Sequence, residues 1–306
     1  LQEESVRSTR SALALTLVGA LALAACGGDD ETEATVAVVS PTVNVGRTSD
    51  PLSQLIAEIY GQGMENAGVR VGRKDPVADL DALHASLAAG NVQFVPDTTV
   101  SLLDRLGADV SATADEQLIT INDTLPEGQT ATAIGSATAT KVVACSVAAV
   151  EANSLKTISD LAGVAADVTL GGTAAFESSP SFNLADLNSA YEAEFTFAAS
   201  GDTDADVAAA VAAGDVDCGV LSSLEPTITT EGLLPLEDDK AAAPVDAFVP
   251  LMQTTAATPE VIAVITQLNS LVTTDVLRAL LVKLETGDQT PDVLAKAFLA
   301  SQSSDG

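Results

Sequence analysis

Apolar positions along this chain keep switching between two spacings. PTVNVG reads as a short buried strand, and the segment after Pro51 then sets Leu52, Leu55, Ile56, Ile59, Tyr60 and Gly63 at i, i+3, i+4, i+7 intervals, which is one face of a helix. VRVG gives a second strand. DPVADLDALHASLAAG gives a second helix, with Asp75 expected as N-cap, Pro76 in the first turn and Gly90 as the stop. NVQFV is a third strand, followed by a helix from Thr99 to Leu106. Strands alternating with helices at these intervals predict an α/β fold with mostly parallel sheets covered on both faces.

A Thr/Ala/Gly-rich stretch, 126–140, interrupts the pattern and reads as a crossing between two lobes. The same grammar then restarts. KVVACSV, DVTLGG and DVDCGVL are strands; TISDLA and DTDADVAAAVAAG are helices, the second with an acidic first turn and Gly214 as its stop. The tail holds three capped helices, TPEVIAVITQLNSLV, TTDVLRALLVKLETG and TPDVLAKAFLAS. No internal repeat of solenoid period is present.

The N-terminal region follows neither spacing. Ser11 to Ala25 carries no charge and is preceded by Arg7 and Arg10, the layout of an export signal over residues 1–25. Its fifteen residues (25 − 11 + 1) fall short of the roughly 20 that a membrane-spanning helix needs. Leu23-Ala24-Ala25-Cys26 resembles a bacterial lipobox, so Cys26 is expected to be lipidated and to begin the mature chain. A plain secretory signal with an incidental cysteine is the competing interpretation. The acidic stretch 26–40 then reads as a tether, placing the protein outside the cell membrane and anchored to it by lipid.

Residues 1–25 hold two acids and two bases, so the net charge of −30 belongs entirely to residues 26–306. Such a field repels nucleic acid and anionic surfaces and mildly favours cations. With Cys26 set aside, Cys145 and Cys218 remain, and two cysteines in an exported chain predict one disulfide if their strands are neighbours.

In open parallel sheets the ligand crevice lies beyond the carboxyl ends of the strands. The residues there are Arg47, Thr48, Ser49 and Asp50 after the first strand, and Asp97, Thr98 and Thr99 after the third. In the second half they are Thr173 and the pair Ser222 and Ser223. Strand-to-helix turns favour Ser, Thr and Asp as caps for local reasons, which accounts for about half of these. Arg47 and Asp97 stand out: Asp97 or Asp50 at a cationic end and Arg47 at a carboxylate would suit a small zwitterion or polar amine. Catalytic constellations are sparse: the sole histidine, His84, lies mid-helix beside Leu80, Leu83 and Leu87. There is no phosphate loop, no serine elbow, and no His or Cys cluster with metal spacing, so neither cofactor nor metal is expected.

The segments LIAEIYGQGMENAGVRV, LHASLAAGNVQFVPDTTVSLL, LKTISDLAGVAADVTLGGTAAFE and EGLLPLEDDKAAAPVDAFVPLM occur in the order and spacing of one known family. From about Val43 to the C-terminus the chain resembles the substrate-binding proteins of osmoprotectant ABC importers, the glycine betaine and choline family. The resemblance implies a two-lobed clamshell of the type II periplasmic-binding kind. Its first lobe would be 41–139, its second 140–223, and the first would resume over 224–306. It also implies a monomer that closes over a small solute and is read by an ABC permease subunit, with Phe176 and Glu177 added to the site. The family's Pro-Glu-Tyr-Thr-Gly is Pro96-Asp97-Thr98-Thr99-Val100 here, and its Phe-Glu-Thr-Arg is Phe176-Glu177-Ser178-Ser179. A tyrosine and an arginine of the family pattern are thus replaced, and Tyr60 and Tyr191 are the chain's two tyrosines. The expected function is delivery of a small polar or zwitterionic solute to an importer, without catalysis. The alternatives are an envelope lipoprotein that kept the fold for sensing or scaffolding, and a hydrolase working through carboxylates alone.

Overall fold

The computed structural model describes residues 42–302 apart from Ala112 and Asp288. The expected export signal, Cys26 and the expected tether lie outside the described residues. The first lobe is built from β1 (Val43–Val45), α1 (Pro51–Asn66), β2 (Val71–Arg73), α2 (Leu80–Ala88), β3 (Phe94–Thr98), α3 (Thr99–Leu106), α4 (Ala114–Thr124) and β4 (Gln129–Ala131). The second contains β5 (Lys141–Cys145), α5 (Val147–Asn153), α6 (Ile158–Ala162), β6 (Thr169–Thr173), α7 (Leu184–Tyr191), β7 (Thr196–Gly201), α8 (Asp204–Ala213), β8 (Cys218–Ser222), α9 (Thr227–Thr230) and β9 (Leu234–Pro235). The chain then returns through β10 (Phe248–Gln253), α10 (Pro259–Leu271), α11 (Thr274–Thr286) and α12 (Pro291–Gln302).

The two five-stranded sheets share one plan, β2-β1-β3-β10-β4 and β7-β6-β8-β5-β9. β1 is parallel to β2 and β3, while β10 is antiparallel to β3 and β4. In the second sheet β6 is parallel to β7 and β8, while β5 is antiparallel to β8 and β9. Each sheet is therefore mixed, with four strands running one way and one against them. The reversed strands, β5 and β10, are the first the chain enters after each crossing. They begin on the side where the other strands end.

The crossings run side by side. Thr138 pairs antiparallel with Ala247, and Ala139 N–H donates to the Asp246 carbonyl at 2.7 Å. The return therefore falls near Ala247 and not at 224 as expected. β9 pairs with β5, and Ile228 and Leu233 pack with Ala144, Val207 and Leu221 of the second lobe. A two-residue strand leaves no periodicity to read. For the same reason the stretch 126–140 hides β4 at its start. The second helix also starts later than expected, at Leu80 with Asp79 as its cap, because Val77 is held extended against Thr48 as a parallel bridge.

Both faces of each sheet are buried. Along β10, Phe248 and Met252 join one apolar cluster with Phe94, Ile59 and Leu277, while Val249 and Leu251 join Leu83, Leu102 and Ile121 on the other face. Tyr60, fully enclosed on α1, donates its hydroxyl to Asn269 Oδ1 of α10 at 2.5 Å. Burial raises its pKa far above the phenol range. In the second lobe, Cys145 of β5 lies directly opposite Cys218 of β8, both wholly buried, and the two are joined as a disulfide. Among the described residues no single helix is long and apolar enough to cross a membrane.

Candidate functional site

Three hollows bear on the expected site, and α3 separates two of them. On one side Val100 and Asp104, four residues apart on α3, face a cavity of about 230 Å³. Its other walls are Ala139, Pro244 and Asp246 from the crossings, and Lys141, Thr173, Ala175, Phe176, Ser179, Ser181 and Phe182 from the second lobe. This cavity takes residues from both lobes and from the hinge between them. The Ser181 hydroxyl donates to Asp104 Oδ1 and so links one lobe to the other.

Asp246 is placed by the backbone. Thr98, the N-cap residue of α3, makes no side-chain cap, and Asp246 supplies it by accepting the Val100 N–H at 2.9 Å. Burial pushes the Asp246 carboxyl up to about 6, outweighing its hydrogen bond from Val100, and Asp97 and Asp104 add repulsion. Lys141 Nζ is bound by both oxygens of Asp204, at 2.9 and 3.0 Å. Phe176 meets Phe182 edge-on at 5.7 Å and Phe197 at 6.1 Å. A Cβ on Gly172 would stand 2.7 Å from the Phe197 ring, so a glycine there lets this aromatic wall form.

On the other side of α3, a hollow of about 200 Å³ is lined by Thr48, Asp50, Ser53, Asp97, Thr98 and Ser101 among others. Asp97 is almost fully buried; its carboxylate accepts from His84 Nε2 at 2.6 Å and from Thr98 N–H at 2.8 Å. His84, read as a helix residue without chemistry, is therefore the partner that fixes Asp97.

The third and largest hollow, about 900 Å³, lies on the flank of the first lobe between α1, β2 and α12. Arg47 is here. Its guanidinium donates to Glu58 Oε1 at 2.7 Å, and Arg73 Nε reaches Glu58 Oε2 at 2.9 Å. Arg73 also binds Glu65 and holds that carboxyl below its usual range.

The expected clamp of Arg47 with Asp97 is thus corrected. The two residues line different hollows and each already has a partner. The remaining candidates divide in the same way. Thr173 and Phe176 line the interlobe cavity, whereas Glu177 is exposed outside it. Thr48, Ser49 and Asp50 build the turn into α1: Asp50 caps Ser53 N–H, Thr48 accepts from Asp50 N–H, and the Ser49 carbonyl takes the Gln54 amide. Thr99, wholly buried, ties α3 to the return crossing by accepting the Ala247 N–H. Ser222 Oγ faces the Ala139 carbonyl on the outward crossing. Tyr191 donates its hydroxyl to Asp238 and lies under Lys240, so neither tyrosine faces the cavity.

The sequence census passed over Asp104, Lys141, Ser179, Ser181, Phe182 and Asp246. One signal was available: Asp246 is an acid set at the edge of the apolar run AFVPLM. Among the described residues no group of three or more His, Cys, Asp or Glu side chains could hold a metal ion.

Two sheets of one plan, joined by paired crossings around a polar cavity, define a two-lobed solute-binding protein of the type II periplasmic class. The chain belongs to the family of substrate-binding domains of ABC-type glycine betaine transport systems, whose model matches residues 41–301. That family binds solutes for transport. Among solved structures, the chain is similar to a glycine betaine/carnitine/choline ABC transporter protein, with 18% identity over 85% of this chain and 98% of that one, and a TM-score of 0.76. It is also similar to apo YehZ from Escherichia coli, with 18% identity, the same two coverages and a TM-score of 0.73. Lactococcal OpuAC, solved closed with glycine betaine, gives 15% identity over 86% of this chain and 97% of its own, with a TM-score of 0.51. Identities this low speak for the fold alone. A search of curated proteins by sequence finds no match.

Proposed function

We propose that this protein is the extracytoplasmic, lipid-anchored receptor of an ABC importer of the glycine betaine and choline family, and that it carries a small cationic or zwitterionic solute. The observation that supports this reading is the cavity whose walls come from both lobes and from the hinge. A solute held there makes its full set of contacts only when the lobes are closed. Its binding energy therefore shifts the population toward the closed shape, and the permease reads that shape. Two carboxylates and two phenylalanines suit an ammonium group; Thr173, Ser179 and Ser181 supply hydroxyls for a polar tail. Lipidation at Cys26 would hold the receptor beside its permease, and nothing in the cycle requires a second copy.

A thermal-shift screen of betaines, choline, amino acids and polyamines tests the proposal. A true solute at about a hundredfold excess over its Kd stabilises the protein by about 2.7 kcal/mol, a rise in Tm of several degrees. Silence across every class would favour the scaffolding lipoprotein instead.

A further inference from the structure

The charges around the interlobe cavity sort its ligands further. Three charged side chains face it: Asp104 from α3, Asp246 from the return crossing and Lys141 from β5. Lys141 is already matched by Asp204 of α8, and the neighbouring Asp97 is bound by His84 of α2. Among the described residues the two lining carboxylates are thus left without an ion-pairing cation of their own. Their hydrogen-bonding capacity is also underused. Asp246 accepts from Val100 N–H, and Asp104 accepts from the Ser181 hydroxyl. Two carboxylates offer about eight acceptor sites between them.

Resting on the cavity being the solute site, we propose that its solute is a protonated amine retaining N–H donors rather than a fully methylated ammonium. A quaternary ammonium is held chiefly by aromatic faces. Here the tyrosines serve the core and a surface loop, and Phe176 and Phe182 give the cavity an aromatic wall on one side instead of a cage on several. A ligand without N–H would close the cleft over carboxylate oxygens that lose water and gain no donor, an outcome that costs binding energy. A primary or secondary ammonium supplies two or three donors at that point and neutralises the charge with hydrogen bonds.

The pH dependence has a definite sign. With its carboxyl pushed up to about 6, Asp246 is ionised above that pH and available to a cation. Affinity should be full at pH 7.5 and decline as the pH falls below about 6, with Asp97, Asp104, Lys141, Asp204 and His84 as the neighbouring charged or titratable groups.

The test is calorimetry at pH 7.5 with ethanolamine, its N-methyl and N,N-dimethyl derivatives, and choline, in which methyl groups replace the N–H donors one at a time. Affinity is expected to fall along the series, with choline weaker than ethanolamine by about tenfold or more. Asp246→Asn should weaken ethanolamine by about tenfold or more and choline by less. That variant keeps a carbonyl for Val100 N–H and sheds a buried charge, so at pH 7 it should melt no lower than the parent. Asp104→Asn, on the exposed side of α3, is the second variant and should act in the same direction. Choline binding as tightly as ethanolamine, or both variants binding the series like the parent, would overturn the amine proposal while the cavity stands as the solute site. If no member of the series binds, the amine proposal fails; if the wider solute screen is silent too, the receptor reading fails with it.

Discussion

Replacing Cys145 and Cys218 together by alanine is expected to lower the unfolding free energy by about 4 kcal/mol. The bond joins residues 73 apart in sequence, so it closes a long loop of the unfolded chain. In the chain-entropy model that restriction of the unfolded state is the main source of stability. Both sulfurs are fully buried between β5 and β8, among Val143, Leu170 and Val220, so alanine also removes packed volume. Urea unfolding of the parent, the double variant and the reduced parent measures the effect. Variant and reduced parent should lose similar amounts; a loss below about 1 kcal/mol would mean that the bond is dispensable to the lobe.

Glu58→Ala is expected to cost about 1–3 kcal/mol and to leave solute affinity unchanged. Its side chain is only 7% exposed, and it is the shared acceptor of Arg47 and Arg73 on the inner face of α1. Removing it leaves two guanidinium groups, one from the β1 end and one from β2, facing each other without the charge between them. The cost is less than for a fully buried pair because both guanidinium groups keep access to the flank hollow and Arg73 retains Glu65. Thermal unfolding gives the stability change, and calorimetry with the best solute gives the affinity. A variant as stable as the parent, or one that folds well and binds at least tenfold more weakly, would contradict the structural role given to this cluster.

The order of strands and helices is largely legible in the sequence because short signals fix it locally. Thr258 before Pro259, the Thr203/Asp206 capping box and the left-handed Gly214 mark helix ends that the structure repeats. Strand direction is not local. It depends on which side of a sheet the chain re-enters, and nothing within KVVAC or FVPLMQ encodes that β5 and β10 run against their neighbours.

The same point explains the site. A census of residues that come after strands finds Thr173, at the cleft end of β6, and comes close to Phe176. It cannot find Lys141, which opens β5, or Asp246, which precedes β10, because reversed strands begin at the cleft. Arg47 satisfies the census and still turns away. The reason lies eleven residues on, where Glu58 sits among Leu55, Ile56 and Ile59 on a buried face. An acid in such a place requires a cation, and this is a signal that periodicity alone passes over.

The central claim is that the solute sits between the lobes against Phe176 and not in the wider flank hollow beside Arg47. Calorimetric titration of the best solute into Phe176→Ala and Arg47→Ala tests it most directly. Phe176→Ala should lose affinity by about tenfold or more, since truncating a central aromatic anchor removes packing and water exclusion together. Arg47→Ala, although less stable, should bind like the parent. The reverse pattern, with binding abolished by Arg47→Ala and retained by Phe176→Ala, would contradict the account.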